Sequence, residues 1–198
     1  MNKPFLPKLK IVLGSKSPRR KELLTQLGLN VRVEAMGVEE TYPEELSPEE
    51  VVLFLAAKKA EAYKSFGPNE VLITSDTIVV RKDEILGKPK DLEDAGKMLH
   101  RLSDASHNVY TAVCINAFGL IRRSVVVKTK VHFKALQQSE IDYYLKNGKP
   151  LDKAGAYGIQ EWIGMVAVEK IEGSYYNVVG LPVQEVVKIL EEINDSID

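Results

Sequence analysis

The sequence predicts an α/β fold built on a mixed, largely antiparallel-centred twisted sheet flanked by helices. Short apolar runs alternate with helical segments through residues 10–102. Two long β-rich stretches then follow one another, near 107–118 and 122–134, with Gly119 at the turn between them. No repeat, low-complexity tract or linker interrupts the 198 residues, so the chain reads as one domain, 1–198, or at most two small lobes.

Each element has a local reason. "KIVLG" is a short strand signal; the helix after it takes Ser17 as N-cap and Pro18 at its first position, with Leu23, Leu24 and Leu27 on one face and Gly28 as the stop. "VRVEA" (31–35) alternates as a half-buried strand does. Ser47, Pro48 and Glu50 form an N-cap, first position and capping box, which predicts a helix near 48–64. "VLITSDTIVV" (71–80) is rich in β-branched residues and reads as a buried strand, after which "RKDE" turns the chain toward "ILGKP". Asp91 starts a helix with an inward stripe of Leu92, Ala95, Met98, Leu99 and Leu102. Beyond the two long strands, Ser139 is expected to cap a short helix ending at Asn147-Gly148. "DKAGAYGIQEWIG" leads to a predicted strand "MVAVEKI", and Pro182 stands near the start of a terminal helix.

Composition excludes several classes. Hydrophobic content of 44% and charged content of 28% are those of an ordinary soluble globular protein. A formal charge of −1 argues against general binding to nucleic acid or anionic membrane, so any anion site must be a local arrangement. No apolar run approaches the ~20 residues that span a bilayer. Residues 1–10 contain two prolines and scattered apolar side chains, unlike a secretory leader. The single Cys114 excludes an internal disulfide and a cysteine zinc cluster, and His100, His107 and His132 lack metal-ligand spacing. The expected location is cytoplasmic.

Five constellations can carry chemistry. In "LGSKSPRRKELL" (13–24) two arginines follow the helix cap, although the positive end of a helix dipole disfavours cations there by roughly a few tenths of a kcal/mol. A strand, a small-residue turn and a helix N-terminus make an anion cradle. In that setting Arg19 and Arg20 become favourable once phosphate oxygens are present, with Ser15 and Ser17 as hydroxyl donors. A solvated helix start with arginines paired to nearby acids remains the alternative. Asp76 interrupts an apolar strand between Ser75 and Thr77. A carboxylate there loses hydration and must be paired, hydrogen-bonded, protonated or metal-bound, which suits a base or a Mg²⁺ ligand; a structural aspartate in a bend is the other reading. Glu39, Glu40, Glu44 and Glu45 form an acidic loop, one of which could complete a hard-metal site with Asp76. Lys58 and Lys59 lie on the second helix, and Lys88 sits in the stiffened "LGKP" loop; each is also compatible with plain surface charge. In "AGAYGIQ", Gly155 and Gly158 permit close backbone approach, and the Gln160 amide offers one donor and one acceptor to a pyrimidine edge, or else bonds the main chain. His107 and Tyr175 read as structural.

Taken in order, "SPRRKELL", "SDTIVV" with "LGKPKD", "LSDASHNVYTAV", "DKAGAYGIQ" and "GSYYNVVGLP" resemble the Maf family of nucleoside-triphosphate pyrophosphatases, from about Lys10 to Leu190. The resemblance implies a mixed α/β fold with a central cleft and metal-dependent cleavage between α- and β-phosphates, with Mg²⁺ or Mn²⁺ as cofactor. Gln at the "YGIQ" position is similar to the branch acting on dTTP and UTP. Carried over by position, Asp76 matches the family's proton acceptor, and Arg19, Thr77 and Gln160 match positions linked to base selection. Glu40, Lys59 and Lys88 match acidic and basic positions around the metal and triphosphate, beside Ser15 and Arg20 as phosphate binders and Asp76 and Glu40 as metal ligands. The chain departs from the family pattern in "LGSKSPRR", where Ala-Ser is usual before the next residue, at Ser75, where Ala is common, and at Glu161, where Gly is common; the last is expected to add a negative charge near the base pocket. The expected partner is a nucleotide rather than nucleic acid or membrane, and a homodimer is compatible with the sequence. The alternative function is a non-catalytic nucleotide-sensing regulator of cell division, against which a carboxylate together with several cations favours catalysis.

Overall fold

The computed structural model describes residues 5–119 and 121–196. Residues 1–4, on which part of the leader argument rests, lie outside that range. Fourteen helices and strands are named here: β1 (Lys10–Leu13), α1 (Pro18–Gln26), β2 (Val31–Val33), α2 (Pro48–Glu61), β3 (Glu70–Arg81), β4 (Glu84–Leu86) and α3 (Leu92–Leu102), followed by β5 (Ala105–Ala117), β6 (Ile121–Phe133), α4 (Gln138–Asn147), α5 (Trp162–Ala167), β7 (Val168–Glu172), α6 (Tyr175–Val179) and α7 (Val183–Asp195). Two single 3₁₀ turns, Pro150–Asp152 and Ala154–Ala156, lie between α4 and α5. The strands form one mixed sheet in the order β2-β1-β3-β5-β6-β7, with β4 paired to β3. β1 is parallel to both β2 and β3, whereas β4 and β7 run antiparallel to β3 and β6. No helix among the described residues is long and apolar enough to cross a membrane.

The chain divides into two compact units. The first comprises Met1–Asp76, Thr111–Val127 and Gly180–Asp198. Its centre is the first half of β3, where Val71, Leu72 and Ile73 are fully buried beside Ile11, Val12 and Leu13 of β1. The Thr74 hydroxyl donates to the Ala56 carbonyl at 2.7 Å and so ties α2 to β3. Gly14 follows β1 because a Cβ there would stand 2.6 Å from Thr74 Cγ2.

The second unit comprises Thr77–Tyr110 and Lys128–Val179. Its core joins Val79, Met98, Leu99 and Leu102 of α3, Val109, Val131, Phe133 and Ile163; each such side chain contributes about 1.5–3 kcal/mol on burial. Lys82 and Asp83, between β3 and β4, both have positive φ (48° and 64°), the backbone of a two-residue hairpin turn. His107 is buried against Phe133 and Tyr157, with Nε2 2.8 Å from the Tyr157 hydroxyl, in keeping with a structural role.

Three expectations are corrected. Leu92 is 48% exposed, because as the first residue of α3 it precedes the turns that pack; Ala95, Met98, Leu99 and Leu102 are buried as expected. α4 is capped at Gln137 rather than Ser139, since Glu140 accepts the Gln137 backbone N–H at 2.9 Å. The predicted strand "MVAVEKI" is split. The Glu161 carbonyl accepts from the N–H groups of Gly164 and Met165 at 3.0 and 3.3 Å, which makes Met165–Ala167 helical, and the strand begins only at Val168.

Candidate active site

The first unit links Lys59, Glu40, Arg20 and Ser15, directly or through one another, to Asp76 or its backbone. β3 carries Asp76 at its midpoint, 7% exposed, in a run whose neighbours are almost all buried. A carboxylate so placed needs a partner. Lys59, on the buried side of α2, provides it: its Nζ bonds Asp76 Oδ1 directly and Glu40 Oε1 at 2.7 Å. The two adjacent lysines therefore divide their work. Lys58 Nζ donates to the carbonyl and hydroxyl of Thr41, both at 3.2 Å, and Lys59 holds Glu40, so α2 grips the acidic loop at consecutive positions. Glu40 itself is exposed. The remaining acids of that loop, Glu39, Glu44 and Glu45, are exposed as well.

The turn after β1 supplies the second side of the group. Ser17 caps α1, its Oγ accepting the Arg20 backbone N–H at 3.4 Å. Arg20 is buried, and its guanidinium turns inward: Nε donates to the Gly180 carbonyl and Nη1 to the Ser75 carbonyl, both at 2.8 Å, and Nη1 also reaches Ser15 Oγ at 3.2 Å. Burial draws the Arg20 pKa down from its ordinary value, and the neighbouring Asp76 carboxylate opposes that shift. The guanidinium that the sequence offers to phosphate oxygens is thus bonded to two backbone carbonyls. Ser15 and Arg19 are half-buried.

Thr77, Lys88 and Gln160 belong to the second unit. Thr77 is half-buried, while Lys88 and Gln160 are exposed. The Gly155 N–H donates to the Gly87 carbonyl at 3.0 Å, which joins "AGAYG" to the "LGKP" loop next to Lys88. Gly155 needs its positive φ of 68°, and a Cβ there would press on Val79 at 3.0 Å. Glu161 does not stand as an unbalanced charge beside Gln160. Lys153 Nζ lies 2.8 Å from its carboxylate, and the Tyr144 hydroxyl donates to it at 2.6 Å. Lys153, 4% exposed, is a buried cation that its sequence context did not single out.

Among the described residues no group of three or more His, Cys, Asp or Glu side chains could hold a metal ion by itself. Glu40 and Asp76 nevertheless converge on one ammonium, so two hard carboxylates already face a shared positive charge. That donor set fits a small divalent cation, which is commonly held by one or two carboxylates with the remaining oxygens from substrate phosphate and water.

The family model described as "Maf-like protein" matches residues 10–193. A relative from Phocaeicola vulgatus named dTTP/UTP pyrophosphatase is 49% identical over 190 residues, covering 95% of this chain and 98% of its own. One of the same name from Porphyromonas gingivalis is 49% identical over 195 residues, covering 96% and 98%. Among solved structures, the Ham1 protein of Staphylococcus aureus matches with a TM-score of 0.52 at 15% identity, over 92% of this chain and 98% of that one. The HAM1 protein of Coxiella burnetii gives 0.51 at 14%, over 93% and 99%. These two likenesses concern the fold. With the family model covering all but the ends of the sequence, and relatives near half-identical along its length, the chain belongs to the Maf family.

Proposed function

We propose that this protein hydrolyses dTTP and UTP between the α- and β-phosphates, releasing the nucleoside monophosphate and pyrophosphate. The observation that carries the reading is Asp76: a buried carboxylate, midway along an apolar strand, clasped by Lys59. Near-full-length relatives named for this activity support it.

Asp76 takes a proton from a water molecule as the water oxygen attacks the α-phosphorus. The new P–O bond forms as the bond from that phosphorus to the bridging oxygen breaks, and the electron pair leaves with pyrophosphate. Lys59 holds the Asp76 carboxylate in place for that proton transfer. Glu40 and Asp76 would hold Mg²⁺ or Mn²⁺, which supplies charge neutralisation on the leaving group. Ser15, Arg19 and Lys88 are proposed to donate hydrogen bonds to the phosphate oxygens, since phosphoryl chemistry is chiefly positioning and charge stabilisation. Thr77 and Gln160, with Arg19, read the base. The reaction is assigned to the cytoplasm.

Pyrophosphate release from a panel of triphosphates, with Mg²⁺ or with EDTA, tests the proposal. We expect kcat/KM for dTTP and UTP to exceed that for dCTP and ATP by about tenfold or more, with turnover lost in EDTA. Nucleotide binding without pyrophosphate release would remove the enzymatic reading.

A further inference from the structure

We propose that Arg20 is a positioning residue for Asp76: its guanidinium locks the peptide that carries the base rather than gripping the substrate's phosphates. The inference rests on the hydrolytic reading above and deepens it.

Three segments far apart in sequence meet at this one side chain. Arg20 Nε donates to the Gly180 carbonyl and Nη1 to the Ser75 carbonyl, each at 2.8 Å. The Ser75 hydroxyl also reaches the Gly180 carbonyl, at 3.5 Å, so Arg20, Ser75 and Gly180 close a small knot. Gly180 presents that carbonyl from a positive φ of 119°, a conformation favouring glycine. Nη1 additionally reaches Ser15 Oγ at 3.2 Å, which ties the turn after β1 into the same knot.

The consequence for Asp76 follows from peptide planarity. The Ser75 carbonyl and the Asp76 N and Cα lie in one rigid plane, so fixing the carbonyl oxygen fixes where the Asp76 side chain starts. Lys59 then fixes where that side chain ends. Base and backbone are held from opposite ends by two buried cations. Two in-plane donors of one guanidinium achieve this; a lysine ammonium is a single point and cannot reproduce the fork. The position of Arg20 at the start of α1 is thereby explained. Its charge meets carbonyl oxygens and the field of the Asp76 carboxylate, which offset the unfavourable helix dipole.

The test compares wild type with Arg20→Lys, which keeps the charge, and Arg20→Gln, which removes it. Three quantities are measured for each: kcat for dTTP, Kd for the non-hydrolysable α,β-imido analogue of dTTP, and the folded fraction by urea unfolding. Expressed per folded molecule, kcat should fall about a hundredfold in both variants, the usual effect of misplacing a reacting group, while Kd stays within about threefold. A Kd weakened about tenfold or more in Arg20→Gln with kcat retained would make Arg20 a phosphate clamp and overturn the proposal. So would a loss of kcat that vanishes when corrected for folded fraction, or a kcat left intact in both variants. A wild-type chain that binds the analogue yet releases no pyrophosphate would instead sink the hydrolytic reading itself.

Discussion

Lys59 Nζ contacts the carboxylates of both Asp76 and Glu40, joining a buried strand residue to an exposed loop through one ammonium. The pair with Asp76 is buried on both sides (10% and 11% side-chain exposure), whereas Glu40 is 43% exposed. The inner contact therefore dominates energetically, and the outer one is screened by solvent.

Removing the ammonium should deprive the buried Asp76 carboxylate of its directly bonded counter-charge. Lys59→Met is expected to lower stability by about 3 kcal/mol, and Lys59→Met/Asp76→Asn to recover most of that loss. Urea unfolding of the double-mutant cycle measures the coupling; additive single effects would show that the two side chains do not interact.

Asp76→Asn keeps the shape of the side chain but can neither accept the proton nor carry the full charge that Lys59 meets. Turnover of dTTP should drop at least about a hundredfold, the lower range of general-base effects. Steady-state pyrophosphate release gives the number, and near-normal turnover would take Asp76 out of the mechanism.

Gly14→Ala inserts a methyl 2.6 Å from Thr74 Cγ2. Thr74 cannot swing aside freely, because its hydroxyl is bonded to the Ala56 carbonyl. The expected cost is about 2 kcal/mol, or a fall in melting temperature of about 4–8 °C. A thermal scan showing no change would mean that the turn after β1 yields more readily than its packing implies.

Acid should destabilise the second unit through His107. Burial, with smaller contributions from His132 and Arg81, holds its pKa down to about 3, against an ordinary 6.5. The unfolded chain thus takes up a proton first as pH falls, so the stability of neutral His107 is complete above the ordinary value and lost progressively below it. Between pH 7 and pH 5 the loss attributable to His107 is about 2 kcal/mol. His107→Phe should flatten this part of the stability–pH curve, measured by urea unfolding at each pH; an unchanged slope would place the acid sensitivity elsewhere.

Much of the fold was legible because local chemistry fixed it. The Ser47–Glu50 capping box, the Ser17-Pro18 helix start and the β-branched run of β3 all lie in the sequence as short-range patterns, and each formed where expected. Elements decided by a single backbone bond were less visible: α5 begins because the Glu161 carbonyl captures two N–H groups, a choice that "MVAVEKI" does not advertise. The short α6 likewise depends on Asn177, whose amide donates to the Val109 carbonyl and Thr129 hydroxyl, contacts distant in sequence. At the site, Asp76 announced itself as a carboxylate in an apolar run. The role of Arg20 was hidden, since two of its partners are main-chain carbonyls that have no signature in the residue types. The compensation of Glu161 by Lys153 was hidden for a related reason: eight positions apart on an irregular loop, they meet only because Gly158 leaves room for the lysine stem.

The central claim is attack of water at the α-phosphorus, and the most direct measurement is hydrolysis of dTTP in H₂¹⁸O with the products read by ³¹P NMR. The account predicts one ¹⁸O in the thymidine monophosphate and none in the pyrophosphate. Label in the pyrophosphate, or release of orthophosphate as the first product, would contradict it.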